Sequence, residues 1–359
     1  MAAGAAQLGH RSPSATKARQ HKPAQEKQGL EGNLRAMKRA LLDYLACPDC
    51  GGDIEGDFQL ELENGELSCA DCRRRFPVAQ GVPTLLPSQS NALALQVADE
   101  FAEQWKRYDD RRAEYRQQLL DWLAPVRPEF FAGKVVLDGG CGKGRHLQVT
   151  STFEAKMVIG VDLGEAVYVA RQSTRELDNV EIVRGDMLCL PFKSGVFDYA
   201  YSVGVLHHLP DPRGGFDSML SKVAVAGHVS AWVYGYENNE WIVKLVNPFR
   251  DHVSNRMPRS LLKGLSWLLA GAVVLAARGV YKPWHQRFPS RRLFYQDYLL
   301  YIADFPHREI ETIVYDQLNP KIAFYLPREE FASWFTGLED VGIAWHNRNS
   351  WRGFARKPG

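Results

Sequence analysis

Residues 135–146 read VVLDGGCGKGRH, an apolar run, an acid, and then glycines at 140, 142 and 144. A strand ending in such a turn lets the backbone approach a ligand closely, and a following helix N-terminus favours an anion. Alone, the array is equally compatible with a plain tight turn. The next hundred residues narrow the choice. Four more apolar runs, KMVIGVDLG, VEIVRGD, FDYAYSV and HVSAWVYG, alternate with helical stretches up to residue 236. That alternation predicts an α/β fold with a parallel sheet. Asp138, Asp162 and Asp186 each fall at the C-terminal end of a strand. Open α/β sheets bind ligands at that edge, where an acid can accept from ribose hydroxyls.

VVLDGGCGKGRH resembles motif I of class I S-adenosylmethionine-dependent methyltransferases, specifically the methyltransferase-11-like group. It meets every fixed position of that group's V-L-D-x-G-C-G-x-G pattern. GVDLG resembles the group's ribose-binding acid, GDMLCLPF its adenine-side acid, and FDYAYSVGVLHHLPDP the stretch around strand four. The resemblance covers 134–236 and the C-terminal strands, and implies a Rossmann-like class I methyltransferase sheet. A dinucleotide dehydrogenase is the weaker alternative, because its G-x-G-x-x-G pattern is absent. The resemblance implies that Gly140, Gly142 and Gly144 cradle the methionine part of the cofactor and that Asp138 orients its amino group. It gives Asp162 the ribose diol and Asp186 the adenine amino group, with the Met187 backbone beside it. Ser202 and Val203 would lie near the sulfonium. One departure is VAVAGHVSAW, where the group usually has a Lys-Pro-Gly-Gly turn; a changed surface turn is expected.

Cys47, Cys50, Cys69 and Cys72 form C-x2-C-x18-C-x2-C. This spacing predicts tetrahedral zinc held by four thiolates, which leaves no open position and makes the site structural. Iron also fits the spacing but is the less expected ion. Residues 38–87, and PVAQGVPTLLP above all, resemble the zinc-ribbon domain related to the activator subunit of tRNA and protein methyltransferases. The resemblance implies an activator-like domain fused to its own catalytic partner. The N-terminus shows no apolar run of a secretory signal, and CxxC pairs in that setting favour metal over disulfides. A cytoplasmic location is therefore expected.

The chain is expected to divide into a disordered tail (1–36), the ribbon (37–90), a helical lid or linker (91–133), the methyltransferase domain (134–236 and 322–359) and a substrate-cap insert (237–321). Met37 is an alternative start. Trp105 and Tyr108 in FAEQWKRY are lid candidates by resemblance, with ordinary packing as the equal alternative. The formal charge of +2 hides an asymmetry: residues 1–39 carry +6 and the remainder −4. The folded part is thus no strongly basic body, which counts against extended nucleic-acid binding. Within the cap, however, residues 240–300 hold ten Lys/Arg against three Asp/Glu. There LSWLLAGAVVLAA is apolar on all sides but short of the roughly twenty residues that span a bilayer. It reads either as a buried core helix or as part of a peripheral contact, through 260–282, with the inner face of a membrane.

His207 and His208 follow strand four, near the reaction face, and are the candidate bases, His207 being nearer the strand end. LHHLPDP also makes structural sense alone, with Asp211 capping a helix and Pro212 in its first position. Tyr234, Glu237, Asn238, Tyr315, Asp316, Tyr325 and Trp351 are substrate-side candidates. The expected activity is in-line methyl transfer from S-adenosylmethionine to a small-molecule, glycan or lipid-linked acceptor. The alternative is an RNA methyltransferase, for rRNA or tRNA, that uses the ribbon to recognise nucleic acid. Arg73, Arg74 and Arg75 beside the ribbon favour it, and the six acids from Asp53 to Glu66 oppose it.

Overall fold

The computed structural model describes residues 36–59, 61–89 and 114–359. The expected tail, apart from Ala36, and the lid candidates Trp105 and Tyr108 lie outside the described residues.

The ribbon supplies β1 (Met37–Lys38), β2 (Ile54–Glu55), β3 (Glu61–Leu62), β4 (Gly65–Cys69), β5 (Arg75–Ala79) and β6 (Val82–Leu85). The five expected strands of the α/β portion form β7 (Val135–Gly139), β8 (Met157–Asp162), β9 (Val180–Gly185), β10 (Phe197–Val203) and β11 (Val223–Tyr234). β12 (Glu339–His346) and β13 (Ser350–Arg356) follow near the C-terminus. Their order is β12-β13-β11-β10-β7-β8-β9-β6-β5-β4-β2, one continuous sheet. β7 to β11 run parallel, β13 runs antiparallel to β11, and β12, antiparallel to β13, runs in the same direction as β7 to β11. Every residue of β7 is buried, as expected of a strand covered on both faces. The unusual VAVAGHVSAW segment resolves as a bulge: β11 pairs with β10 at Val223 and again from His228, and Ala226 between them has φ 59°.

The ribbon is joined to the sheet through its backbone. β6 pairs parallel with β9, Thr84 opposite Arg184 and Leu85 opposite Gly185. Phe76, Val78 and Leu85 enter the same apolar core as Val183, Met187 and Phe192. A buried ion pair reinforces the seam. Arg171 donates to Glu181 at 2.9 Å and to the ribbon's Gly81 carbonyl at 2.7 Å, with both charged side chains almost fully buried.

The helices begin with α1 (Glu114–Leu123), α2 (Arg145–Thr150), α3 (Ala166–Ser173) and α4 (Pro212–Lys222). Asp211 caps α4 by accepting from the Gly214 N–H at 2.9 Å, with Pro212 in the first turn. The cap over the strand ends contains α5 (Asn247–His252), α6 (Arg259–Ala276), α7 (Lys282–Arg287), α8 (Gln296–Ile302) and α9 (His307–Leu318). α10 (Arg328–Ser333) leads back to β12. Leu262 of α6 packs with Tyr315 and Leu318 of α9 in a small core of the cap's own.

Candidate active site

The C-terminal edge of the parallel strands opens into a cavity of about 880 Å³ roofed by the cap. Its floor is set by the turn after β7. Gly140, Gly142 and Gly144 all have φ between 52° and 82°, a region glycine enters without steric cost. A Cβ on Gly140 would sit 2.3 Å from the Val205 side chain, so the turn tolerates no side chain there. Asp162, ending β8, holds the turn: it accepts from the Gly142 N–H at 3.0 Å and the Gly164 N–H at 2.9 Å. Burial raises its carboxyl pKa, and these backbone donors oppose the shift. Asp186, just beyond β9, accepts from the Leu188 N–H at 2.9 Å. Asp162 and Asp186 both face the cavity, beside Leu163 and Met187.

Each expected cofactor residue has a definite place. Gly140, Gly142, Asp162, Asp186, Met187 and Val203 line the cavity. Asp138 lies beneath its floor; burial pushes its carboxyl up to about 8, partly offset by the nearby Tyr201 hydroxyl. Gly144 serves helix packing: a Cβ there would stand 3.0 Å from Ala170 of α3. Ser202 is buried and donates to the Gly139 carbonyl at 2.8 Å.

The two histidines separate. His207 is fully buried outside the cavity wall, its ring 4.0 Å from that of Tyr234 and both nitrogens without a hydrogen-bond partner among the described residues. In this structure His207 packs against Tyr234 and does not line the cavity, which counts against its expected role as a base. His208 lines the cavity, with Nδ1 2.7 Å from the Ile322 carbonyl. Burial lowers its pKa to about 4, so the ring is neutral at pH 7.

Of the substrate-side candidates, Tyr234, Asp316 and Tyr325 line the cavity, and Tyr234 stacks on Tyr325 at 5.5 Å. The others do not line the cavity. Tyr315 packs in the cap's core. Glu237 accepts from the Trp351 indole at 2.9 Å and from the Arg328 N–H at 2.7 Å, so Glu237 and Trp351 tie β11, β13 and α10 together. Asn238 turns the chain with φ 66° and donates to the Arg348 carbonyl.

Other wall residues carried no signal in the motifs. Trp122 of α1 meets Trp232 of β11 at 5.3 Å, and Arg145 lies over the Tyr115 ring at 4.7 Å. Tyr295 donates to Asn239 at 2.5 Å. His346 pairs with Asp121 at 2.7 Å, and this bond is the main cause of a lowered Asp121 pKa. The aromatic density of residues 281–305 was the available clue, since Tyr281, Phe294, Tyr295, Tyr298, Tyr301 and Phe305 all reach the wall.

The cysteines form a separate centre. Their four sulfurs lie within 4.8 Å of one another, with Cys47 to Cys72 at 3.7 Å and Cys50 to Cys69 at 3.4 Å. Zinc–sulfur bonds of about 2.3 Å at tetrahedral angles put sulfurs roughly 3.8 Å apart, so the arrangement fits zinc. The two cysteine turns are closed by Gly51 N–H to Cys47 O at 2.9 Å and Arg73 N–H to Cys69 O at 3.1 Å. At Cys69 burial opposes ionisation, but the Cys72 and Asp71 N–H groups prevail and bring its pKa to about 7.

Residues 137–230 match the family described as methyltransferase domain, and residues 38–81 the family described as Trm112p-like protein. The chain joins an S-adenosylmethionine-dependent methyltransferase domain to a Trm112-like domain. Among curated proteins, a tRNA U34 carboxymethyltransferase of Mannheimia succiniciproducens is 29% identical over 116 residues, which is 31% of this chain and 34% of that protein. A ubiquinone biosynthesis O-methyltransferase of Erwinia tasmaniensis is 29% identical over 143 residues, 39% of this chain and 57% of that protein. The chain thus spans about a third of the length of the first of these relatives. Among solved structures, the Haloferax volcanii complex of the Trm112 methyltransferase activator and a putative methyltransferase aligns with a TM-score of 0.43 and 16% identity, over 73% of this chain and 98% of that one.

Proposed function

We propose that the whole chain is a methyltransferase that moves a methyl group from S-adenosylmethionine to a planar group held in the aromatic half of the cavity. The observation that carries this reading is the pair of strand-end acids, Asp162 and Asp186, facing one cavity beside the glycine turn. Asp162 already accepts two backbone N–H groups yet keeps lone pairs for a diol. Bound S-adenosylmethionine would supply an activated methyl group, which leaves the chain to orient the partners and exclude water. The cap provides the exclusion. His208 is neutral, but a base whose conjugate acid has a pKa near 4 holds a proton weakly at pH 7. Its role is to orient the acceptor.

For the acceptor, several relatives named tRNA U34 carboxymethyltransferase favour RNA over the free small molecule. Enzymes that modify a base take it out of its stack into a pocket, and Tyr234, Tyr295, Tyr298 and Tyr325 line such a pocket. The basic cap would hold the flanking phosphates. Recognition through the ribbon has less support, because Arg74 and Arg75 are engaged by Asp49 and Glu66. A small or lipid-linked planar acceptor is the second reading, favoured by Leu269, Ala272, Val273 and Ala276 in the same wall.

The test is transfer of labelled methyl groups into total RNA and, separately, into lipid and quinone extracts. Ribonuclease-sensitive label supports RNA, and solvent-extractable label supports the second reading. Failure to bind S-adenosylhomocysteine by calorimetry would remove both.

A further inference from the structure

The outer face of α6 inverts the usual pattern of a surface helix. Leu261, Gly264, Leu268, Ala272, Leu275 and Gly279 recur at three- and four-residue steps through α6 and the turn after it, and all six are exposed. Leu268 is 63% and Leu275 73% exposed, and neighbouring Trp267 is 56% exposed. A helix covering a globular core normally turns charged residues outward. Here no charged or polar side chain interrupts this row over five turns.

The opposite side is occupied. Leu262, Ser266, Ala270 and Ala277 are buried against the fold. Arg278 donates to the Ala303 and Phe305 carbonyls. The segment 259–287 is apolar and long enough to cross a membrane, but only by breaking these attachments. Its geometry suits a helix lying in the plane of a membrane surface.

Charge selects the occupant. Exposed Arg256 and Arg259 stand at one end of the face, and Arg287 and Arg291 at the other. Residues 240–300 carry a net +7. A second copy would bring two such caps together, with like charges opposed, whereas anionic head groups neutralise them. We infer that the outer face of α6 docks on an anionic lipid surface, with Leu261, Trp267, Leu268 and Leu275 entering the head-group boundary. Leu269, Ala272 and Val273 of the same helix line the cavity, Ala272 at the border between that wall and the outer row, so docking would set the acceptor chamber at the bilayer edge. Such docking is independent of the acceptor class and is measured without methyl transfer.

The experiment is sedimentation of the full chain with phosphatidylcholine vesicles, with and without about 30% phosphatidylglycerol, at low and high salt. Anionic vesicles should bind the chain at least ten-fold better than neutral ones, with part of the binding lost in salt. The double variant Leu268→Glu/Leu275→Glu should lose at least ten-fold in vesicle affinity while circular dichroism and S-adenosylhomocysteine affinity stay unchanged. Three results would overturn the inference. One is no binding to anionic vesicles at low salt. Another is binding that survives both replacements. The third is a dimer in sedimentation velocity that the double variant dissolves, which would make the face an interface between copies.

Discussion

The catalytic sheet has two neighbours, and they are attached by different physics. At the β9 edge the ribbon continues the sheet: strand hydrogen bonds, a shared apolar core and the Arg171–Glu181 pair all cross the seam. Over the strand ends the cap keeps a small core of its own and encloses a cavity of about 880 Å³. A strand added to a sheet inherits its cooperativity, whereas a layer packed over a cavity can change with little effect on what lies beneath. Damage to the ribbon should therefore reach the whole molecule, and damage to the cap should reach the acceptor.

Loss of the metal should do the most harm. Cys47→Ser opens the sulfur cluster and should cost about 4 kcal/mol or more, lowering Tm by roughly 10 °C in calorimetry, with zinc content measured in parallel. Cofactor affinity should fall as well. The loop after Asp186 leans on the ribbon through Ala46 N–H to Pro191 O at 3.0 Å, Lys193 N–H to Tyr44 O at 2.9 Å and Cys189 Sγ to Pro48 O at 2.9 Å. A ribbon that melted separately, well below the rest, would put it on the same footing as the cap.

The seam's charges come next. Arg171→Met strands a buried Glu181 and should cost about 3–5 kcal/mol in denaturant unfolding. Adding Glu181→Leu should recover most of that loss, because the uncompensated charge is gone. No recovery would mean that the bond to the Gly81 carbonyl carries the seam.

The contact between His208 and Ile322, where the chain leaves the cap, should be sensitive to acid. His208 has a folded pKa near 4 against about 6.5 unfolded. Its neutral ring contributes stability that is complete above about pH 6.5 and is lost as pH falls through the folded pKa, about 3 kcal/mol in all. His207 and His146 are lowered further, also mainly by burial, and add in the same direction. His208→Gln should flatten the stability profile between pH 6.5 and 4; an unchanged slope would assign the acid sensitivity to the other two rings.

On the sheet's own wall, Asp162→Ala removes the acceptor for Gly142 and Gly164 together with the proposed diol contact. S-adenosylhomocysteine affinity should drop by about 2–3 kcal/mol, read by calorimetry. That position was legible in the sequence because strand, acid and turn are local: GVDLG and VVLDGGCGKGRH fix their own geometry. The β6–β9 pairing was not, since nothing in GVPTLLP names a partner about a hundred residues away. Nothing in the sequence singles out Arg171, and only the Gly81 carbonyl and Glu181 explain its burial. His207 and His208 differ by one residue, and a single step around the chain decides which ring meets the cavity. For α6 the apolar run was plain, but which of its sides the fold leaves open depends on α9.

The mildest change tests the cap most closely. Tyr325 donates to Gln317 while its ring stacks on Tyr234 at 5.5 Å with an interplanar angle of 27°. Tyr325→Phe keeps the stacked ring and removes only the hydroxyl bond, so stability should fall by about 1 kcal/mol. Cofactor affinity should not move, because Asp162, Asp186 and the glycine turn belong to the other wall. Acceptor KM should rise if the hydroxyl also orients the substrate and stay level if stacking alone holds it. A fall in cofactor affinity from this one oxygen would show that the two walls are coupled, and that the cap shapes the cofactor half as well as the acceptor half.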